Sequence, residues 1–406
     1  MGETLKPGSE DQVADAISWA VSEEKPLEIV SGGTKRGYGR PLQTACTLDL
    51  SALDGVALYE PDELVLSAAP GTRVSEIEAM LAEQGQQLAF EPMDLGPLLG
   101  APPGQGTLGG VIACNLAGPR RMSAGAARDH LLGLRGVSGR GEAFKTGGRV
   151  MKNVTGYDLC KLLTGSFGTL AAFTHLTVKV LPRAQRVRTV LLMGLEPAAA
   201  VKAMTEALQS SHEVSAAAHI PAGLIASIPV DRISEPGASV TAVRVEGFGP
   251  SADYRCAALR QMLDHWGALD ELHTQNSRAF WQAVRDVRPF WPDSGDERSV
   301  WRLSVAPSEG PGAANRILDH IDGDAVFDWG GGLVWLALNE PGADSVREAV
   351  NQIGGHATLV RAAEPVRAAN DVFQPQPGPL ATLSRRIKES FDPKGILNPG
   401  RMGLAD

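Results

Sequence analysis

Three stretches of the N-terminal half carry glycines too densely for a regular helix or strand to run through them. They are SGGTKRGYG (31–39), Gly104-Gln105-Gly106-Thr107-Leu108-Gly109-Gly110, and the run from Gly147 to Leu170. Glycine visits left-handed backbone conformations freely and leaves its N–H unshielded, so such loops can aim successive amides at an anionic oxygen. Either of the first two alone reads equally well as a tight turn. Two of them, with a third polar glycine-lined stretch, point to a ligand with a diphosphate. In the third stretch Lys152, Asn153, Gly156, Tyr157, Asp158, Thr164, Gly165, Ser166, Gly168 and Thr169 supply donors and acceptors on a backbone able to approach a flat ligand. The enrichment is general: 46 glycines and 27 prolines make up about 18% of the 406 residues, against roughly 12% in average usage.

Regular elements surround these loops. Ser9 and Gln12 stand at capping-box spacing before Val13, Ile17 and Val21, so an amphipathic helix is expected over 9–21. The apolar run Leu27 to Val30 reads as a strand that enters the first glycine loop. Residues 64–70 read as another strand, and Val74, Ile77 and Leu81 repeat at helical spacing up to a stop at Gly85. Leu176, Val178 and Val180 alternate with polar residues, and His175 reads as a sheet residue of the same strand. Beyond Pro182 alanine-rich helices alternate with strands and the glycine clusters thin out. We expect an α+β protein with domains at 1–185 and 186–370, and a terminal segment, 371–406, that returns to the first.

Residues 104–109 spell GxGxxG, the dinucleotide fingerprint of doubly wound folds. That fingerprint follows a buried strand, whereas Pro102 and Pro103 stand directly before it here, and proline cannot donate to a central ladder. Other classes are excluded on composition. The net charge is −9 with no lysine or arginine block, so nucleic acid is not an expected partner. No apolar run is long enough to span a bilayer and the first residues lack a signal pattern, so a cytoplasmic protein is expected. Cys46, Cys114, Cys160 and Cys256 are scattered, with no CxxC, so no iron–sulfur cluster or zinc ribbon is encoded. The nearest histidine pairs, His212/His219 and His265/His273, miss the spacing that puts two metal ligands on one helix face, and no metal site is expected.

The segments SGGTKRGYG, PDELVLSAAPGTRVSEIEAMLAEQGQQLAFEP, GTLGGVIACNLAGPRR, GGRVMKNVTGYDLCKLLTGSFGTLAAFTHLTVKV and FDPKGILNPGRM, in that order, resemble the PCMH-type FAD-binding fold of the vanillyl-alcohol oxidase and p-cresol methylhydroxylase superfamily. Within it, KNVTGYDLCKLLTGSFGTL, VWRLSVAP and VFDWGGGLVWL are similar to the E subunits of bacterial glycolate oxidases. The resemblance implies a two-lobed FAD-binding domain with a smaller α+β cap. It implies that Gly32, Gly33, Thr34, Lys35 and Arg36 hold the FAD diphosphate and that residues 104–110 lie along the phosphates and ribityl chain. Cys114, Gly118, Lys152, Asn153, Gly156, Tyr157, Asp158 and the 164–169 segment would approach the ring systems, and Asn398 would close the pocket from the terminus. The implied reaction is oxidation of glycolate, a 2-hydroxy acid, to glyoxylate. The implied partners are a second flavin subunit and an iron–sulfur subunit, which would place the complex peripherally at a membrane.

Two departures bear on that reading. The first glycine loop has Thr34 and Lys35 and no histidine to bond the flavin, so the FAD is expected to be non-covalent. Where related dehydrogenases carry a late histidine motif, this chain has VFDWGGGLVWL, with Asp328 and Trp329. Arg285, Arg288 and Arg302 could hold a carboxylate, but no residue stands out as a base. Trp281, Trp291, Trp301, Trp329 and Trp335 are core candidates, some of which could anchor a partner surface. Three rival readings stay open at this point: a self-sufficient FAD dehydrogenase of 2-hydroxy acids, a scaffold subunit that has lost flavin binding, and a nicotinamide-dependent reductase on the same fold.

Overall fold

In the computed structural model, residues 3–149, 156–234 and 237–403 are described. The chain opens with a parallel three-stranded sheet of β1 (Glu3–Leu5), β2 (Leu27–Val30) and β3 (Cys46–Asp49), in the order β1-β3-β2. Helix α1 (Glu10–Ser22) covers it. Ser9 caps α1 by accepting the Gln12 N–H at 3.2 Å, while the Gln12 side chain reaches past the cap to accept the Gly8 N–H at 2.7 Å. The apolar stripe Val13, Ile17 and Ala20 is fully buried against Leu27 and Leu48.

β4 (Val56–Glu60) and β5 (Val65–Ala68) follow, then α2 (Val74–Glu83), and β6 (Gln86–Gln87), which pairs with β10 (Leu181–Pro182). β7 (Leu131–Ser138), β8 (Ala143–Gly147) and β9 (Ala171–Lys179) join β4 and β5 in an antiparallel five-stranded sheet of order β4-β5-β9-β7-β8. Val74, Ile77 and Leu81 of α2 and Val111 and Ile112 of α3 (Leu108–Cys114) share a core with Leu66, Leu134, Leu176 and Val178 of this sheet. No strand leads directly into the GxGxxG run, which follows a 3-10 turn at Pro97–Leu99, and α3 is only seven residues long, so the doubly wound reading is excluded by topology as well.

The cap is one antiparallel eight-stranded sheet: β11 (Arg186–Met193), β12 (Ala216–Ile220), β13 (Val240–Gly247), β14 (Leu269–Leu272), β15 (Ser299–Ser304), β16 (Gly323–Asp328), β17 (Leu333–Leu338) and β18 (His356–Arg361). Their order is β14-β11-β13-β12-β16-β17-β15-β18. Trp281, Trp301, Trp329 and Trp335 are each no more than 5% exposed, which removes these four from any docking surface, whereas Trp291 is half-buried. Tryptophan carries the largest apolar area available, and the cap spends it on its own core.

After the helix Gly378–Phe391 the chain returns to the first sheet. Leu397 bridges Leu27 in parallel fashion, with Leu27 N–H on the Ile396 carbonyl at 2.8 Å and Asn398 N–H on the Leu27 carbonyl at 3.0 Å. The turn is built around buried Asp392, which accepts the N–H groups of Ile396 and Leu397 and pairs with Lys388.

Cap and N-terminal lobe meet through buried charges. The Glu91 carboxylate takes both Arg244 terminal nitrogens, at 2.7 and 3.1 Å, and Arg120 forks onto Glu246 at 2.7 and 3.0 Å. Burial by itself pushes the Glu91 carboxyl up, but Arg244 and then Arg120 hold it below its ordinary value; the same two arginines bring Glu246, against its burial, down to about 2. Such a network adds little net stability as a whole but is costly to break singly. Arg244→Met, which leaves Glu91 and Glu246 short of a cation, should lower unfolding stability by about 3–5 kcal/mol in urea titrations at neutral pH.

Candidate functional site

β2 delivers the chain into the first glycine loop, where Gly32 and Gly33 adopt φ of 129° and 74°. The loop closes on itself through Arg36 N–H to the Gly33 carbonyl and Tyr38 N–H to the Lys35 carbonyl. Among the described residues the amides of Gly33, Thr34 and Lys35 donate to no protein acceptor. The second loop lies against the first. Ser31 Oγ and Thr107 Oγ1 are 2.9 Å apart, and a Cβ on Gly32 would sit 2.9 Å from Thr107 Cγ2, closer than real side chains tolerate. Thr107 also caps α3, its hydroxyl accepting the Gly110 N–H at 3.3 Å.

Lys35 is partly buried between the two loops. Its ammonium donates to Thr34 Oγ1 at 3.2 Å and has no carboxylate within ion-pair distance among the described residues. Burial pushes its pKa down, with Cys114 and Asp94 acting in the opposite direction. A cation in this position, beside unused amides, is one anion short of balance.

Phe167, Gly168 and Phe173 form the facing wall. Asn398 fastens this wall to β2: its Oδ1 accepts the Ile29 N–H at 2.8 Å and its Nδ2 donates to the Phe167 carbonyl at 2.7 Å. Gly168 leaves no space for a Cβ, which would lie 2.7 Å from Asn398 Nδ2. Arg401 donates from Nη1 to the Arg36 carbonyl at 2.9 Å and pairs through Nη2 with Glu28 at 3.2 Å, so the terminal segment latches the first loop. Tyr38 packs edge-on against Phe167 with centroids 4.9 Å apart. Burial pushes the Tyr38 phenol up to about 12 and the Cys114 thiol up to about 11, so both stay protonated at neutral pH. The walls enclose about 90 Å³.

The three glycine stretches do not contribute equally to this cleft. Gly33, Thr34, Lys35, Arg36, Thr107, Gly109, Gly110, Cys114, Gly168 and Asn398 line it. Gly32 supports it from behind. Gly104 is turned away, its N–H bound to Asp94 Oδ2 at 2.7 Å, Gly106 carries the Val74 N–H, and Leu108 is in the core; Gln105 is not part of the lining either. Gly109 and Gly110 are the first turn of α3 and not part of an open loop. Gly118 lies beneath the cap, where its carbonyl accepts Trp329 Nε1–H at 3.2 Å. Lys152 and Asn153 fall outside the described residues. The structure does not bring Gly156, Tyr157 and Asp158 to the cleft: Tyr157 is 90% exposed, and exposed Asp158 caps a short helix by accepting the Lys161 N–H. Thr164 and Thr169 spend their hydroxyls on backbone carbonyls at 2.7 and 2.6 Å. Gly165, Ser166 and Thr169 face a separate groove of about 440 Å³ against the C-terminal helix. Polar glycine-rich character marks backbone exposure, and exposure is equally compatible with solvent.

Sequence reasoning missed Tyr38, Arg401 and Asp94, and reached Phe167 only as part of the 164–169 segment. Tyr38 and Arg401 stand inside the segments SGGTKRGYG and FDPKGILNPGRM, each beside a glycine. Asp94, which shapes the second loop and in turn receives support from Asp286 of the cap through a 2.9 Å bond, has no local signal.

The cap holds a second unbalanced group. The side chain of Arg302 in β15 makes no hydrogen bond or ion pair among the described residues, and its guanidinium lies 5.2 Å from the Trp329 ring centroid. Asp328, 3% exposed, is pushed up to about 7 by burial, with the Trp329 N–H bonded to its Oδ1 working against that shift.

Two family comparisons agree with this geometry. Residues 3–147 match the FAD binding domain family and residues 375–402 match the C-terminal domain of FAD linked oxidases. The chain is 34% identical over 390 residues to the glycolate oxidase subunit GlcE of Escherichia coli, covering 96% of this chain and 95% of that protein. The chain belongs to the GlcE family. It also shares 27% identity with an uncharacterized FAD-linked oxidoreductase of Mycobacterium tuberculosis, over 97% of this chain and 89% of that one. Among solved structures, 4-ethylphenol oxidase from Gulosibacter chungangensis superposes with a TM-score of 0.72 at 16% identity, covering 99% of this chain and 89% of that chain. p-Cresol methylhydroxylase superposes at 0.70, covering 99% and 88%. These establish the two-lobed PCMH-type fold for this GlcE-family chain, an FAD-linked oxidoreductase. No described helix is long and apolar enough to cross a membrane.

The raised carboxyl of Asp328 gives this chain a testable pH signature. An acid whose pKa rises on folding keeps its proton in the native state while the unfolded chain loses it. Its contribution to stability is therefore full below about pH 4 and is lost as pH climbs toward 7. Asp328→Asn stays neutral throughout, so its urea midpoint should fall less than that of the parent between pH 4 and 7.

Proposed function

We propose that this chain is the FAD-carrying subunit of a complex that oxidises glycolate or a similar 2-hydroxy acid, with the diphosphate of a non-covalent FAD seated on the amides of residues 33–35 and on Lys35. The observation that carries the reading is the pairing of those unused amides with a part-buried ammonium that lacks a carboxylate. The donor set fits a diphosphate: Lys35 supplies the charge, Thr107 and Ser31 stand behind the loop, and Arg401 and Asn398 keep the walls in place. The enclosed 90 Å³ is far below the roughly 300–1,000 Å³ of typical ligand pockets. Lys35 is tethered only to its neighbour Thr34, so its ammonium would be free to turn onto the diphosphate of a bound FAD. Cys114 stays a protonated thiol beside the cofactor, and no histidine lies in the first loop, so nothing there forms a covalent link.

When bound, the flavin supplies the acceptor for two electrons and a hydrogen. The chain's residues bind it, exclude water with Phe167, Phe173 and Tyr38, and hold the loops in register. The name of the relative GlcE marks it as a subunit. The glycolate oxidase subunit GlcD of Bacillus subtilis is 27% identical over 54% of this chain. These two relatives support a complex of several subunits, and the family resemblance alone implies that its other members are a second flavin chain and an iron–sulfur chain. A second reading, in which this chain reduces its own flavin with substrate, is favoured by Arg302 and Asp328, which give it a cation and an acid of its own.

The chain purified without partners should bind FAD. Lys35→Met should weaken that binding about 10- to 100-fold, the range for one charge-assisted contact, in a fluorescence titration of the apoprotein; unchanged affinity removes the diphosphate assignment. Anaerobic addition of glycolate separates the two readings: a lone chain that stays yellow until partners are added supports the subunit reading, and prompt bleaching supports the self-sufficient one.

A further inference from the structure

We propose that the junction of Tyr38, Arg302, Asp328 and Trp329, where the cap sheet meets the first glycine loop, is the substrate subsite, with Arg302 holding the carboxylate of a 2-hydroxy acid and Asp328 receiving the proton of its hydroxyl. The inference rests on the flavin reading above and adds the residues that would handle the substrate.

Three observations converge on this junction. Arg302 is a part-buried guanidinium with no carboxylate partner among the described residues, and Tyr38, which lines the flavin cleft, is close enough to affect its charge. A planar, permanently charged fork in such a place is suited to a bidentate carboxylate, and leaving it unpaired in the folded protein costs free energy that a bound anion would offset. Arg121 adds a second guanidinium, 4.4 Å from the Trp329 centroid.

The turn that presents the acid is strained. Trp329 is held at a left-handed φ of 53°, with its indole N–H on the Gly118 carbonyl of the flavin-side lobe. The glycines that follow are obligatory, since a Cβ on Gly330 would lie 2.5 Å from Leu208 and one on Gly331 2.7 Å from Val201. Backbone held in an unfavourable conformation by its surroundings is a feature of functional sites. Here it fixes Asp328 and the Trp329 ring at the domain boundary.

Asp328 is faced by Arg302 from β15, Arg244 from β13, Glu91 from the flavin-side lobe and the Trp329 N–H. Burial and Glu91 favour its neutral form, whereas Arg244, Arg302 and the N–H favour the carboxylate, and the result is an acid that titrates near pH 7. Such a group can accept a proton and release it again. In the reaction the substrate O–H bond would break with its proton passing to the Asp328 carboxylate while Arg302 holds the substrate carboxylate; a bound flavin would supply the acceptor for the C2 hydrogen and its electron pair, so that the C=O bond forms and a 2-oxo acid is released.

The test uses the FAD-loaded protein, alone and in the complex purified from its host, with oxalate as an unreactive dicarboxylate probe. FAD content is measured first, because a chain that takes up no FAD overturns the flavin reading itself. With FAD bound, oxalate should perturb the flavin spectrum. Arg302→Met should weaken oxalate binding at least 30-fold, and Arg302→Lys should restore part of it. Asp328→Asn should keep oxalate binding, slow glycolate-driven flavin reduction about 100-fold or more, and abolish the rise of that rate through pH 7. Melting curves establish that each variant is folded. Absence of oxalate binding in the parent, equal binding by Arg302→Met, or an unchanged rate and pH profile in Asp328→Asn overturns the subsite.

Discussion

The approach of Gly32 to Thr107 is the contact on which the rest of the cleft depends. Two backbones come close enough that any side chain on Gly32 would collide with Thr107, and the Ser31 and Thr107 hydroxyls bond across the gap. The shape of the cleft depends on that distance: the unused amides of residues 33–35 open onto it, and Lys35 lines it. Asn398 fixes the opposite wall with one donor and one acceptor, each used on a different strand or loop. A part-buried amide side chain with both ends satisfied has little freedom, so it sets a spacing as well as an attachment.

Charge is distributed unevenly across the molecule. Where cap and flavin-side lobe meet, Glu91, Arg120, Arg244 and Glu246 satisfy one another through paired hydrogen bonds, and such a fully satisfied network contributes specificity of docking more than net stability. Lys35 and Arg302 are different. Each is withdrawn from solvent and neither has a carboxylate partner among the described residues. Lys35 lines the cleft, and Arg302 lies in the cap beside Trp329.

The terminal segment has a role beyond closing a pocket. Leu397 extends the first sheet beside β2, Asp392 ties its own turn, and Arg401 bonds the carbonyl of Arg36. The loop that would carry a diphosphate is therefore held by residues more than 360 positions away, and its geometry depends on the last 30 residues being in place.

How much of this the sequence could show follows from the range of each interaction. Ser9 as a cap, the stripe Val13, Ile17, the strand Leu27–Val30, the helix ending before Gly85 and the strand around Leu176 are set by neighbours within a few residues, so composition and spacing were enough. The family motifs likewise carried the fold and the cofactor class. The same local rules misplace Tyr157 and Asp158, because a polar glycine-rich run looks alike whether it faces a ligand or water. They treat the tryptophans as possible anchors because burial is not a local property. Asp94 acquires its role from Gly104 and Asp286, Arg401 from Arg36, and Arg302 from Tyr38, partners separated by up to several hundred residues. The sequence by itself thus determined which segments bend, which are regular and to which family they belong. Only the packing of lobe, cap and terminus decided which of its charges would be left without a partner, because that depends on long-range contacts summed over the whole fold.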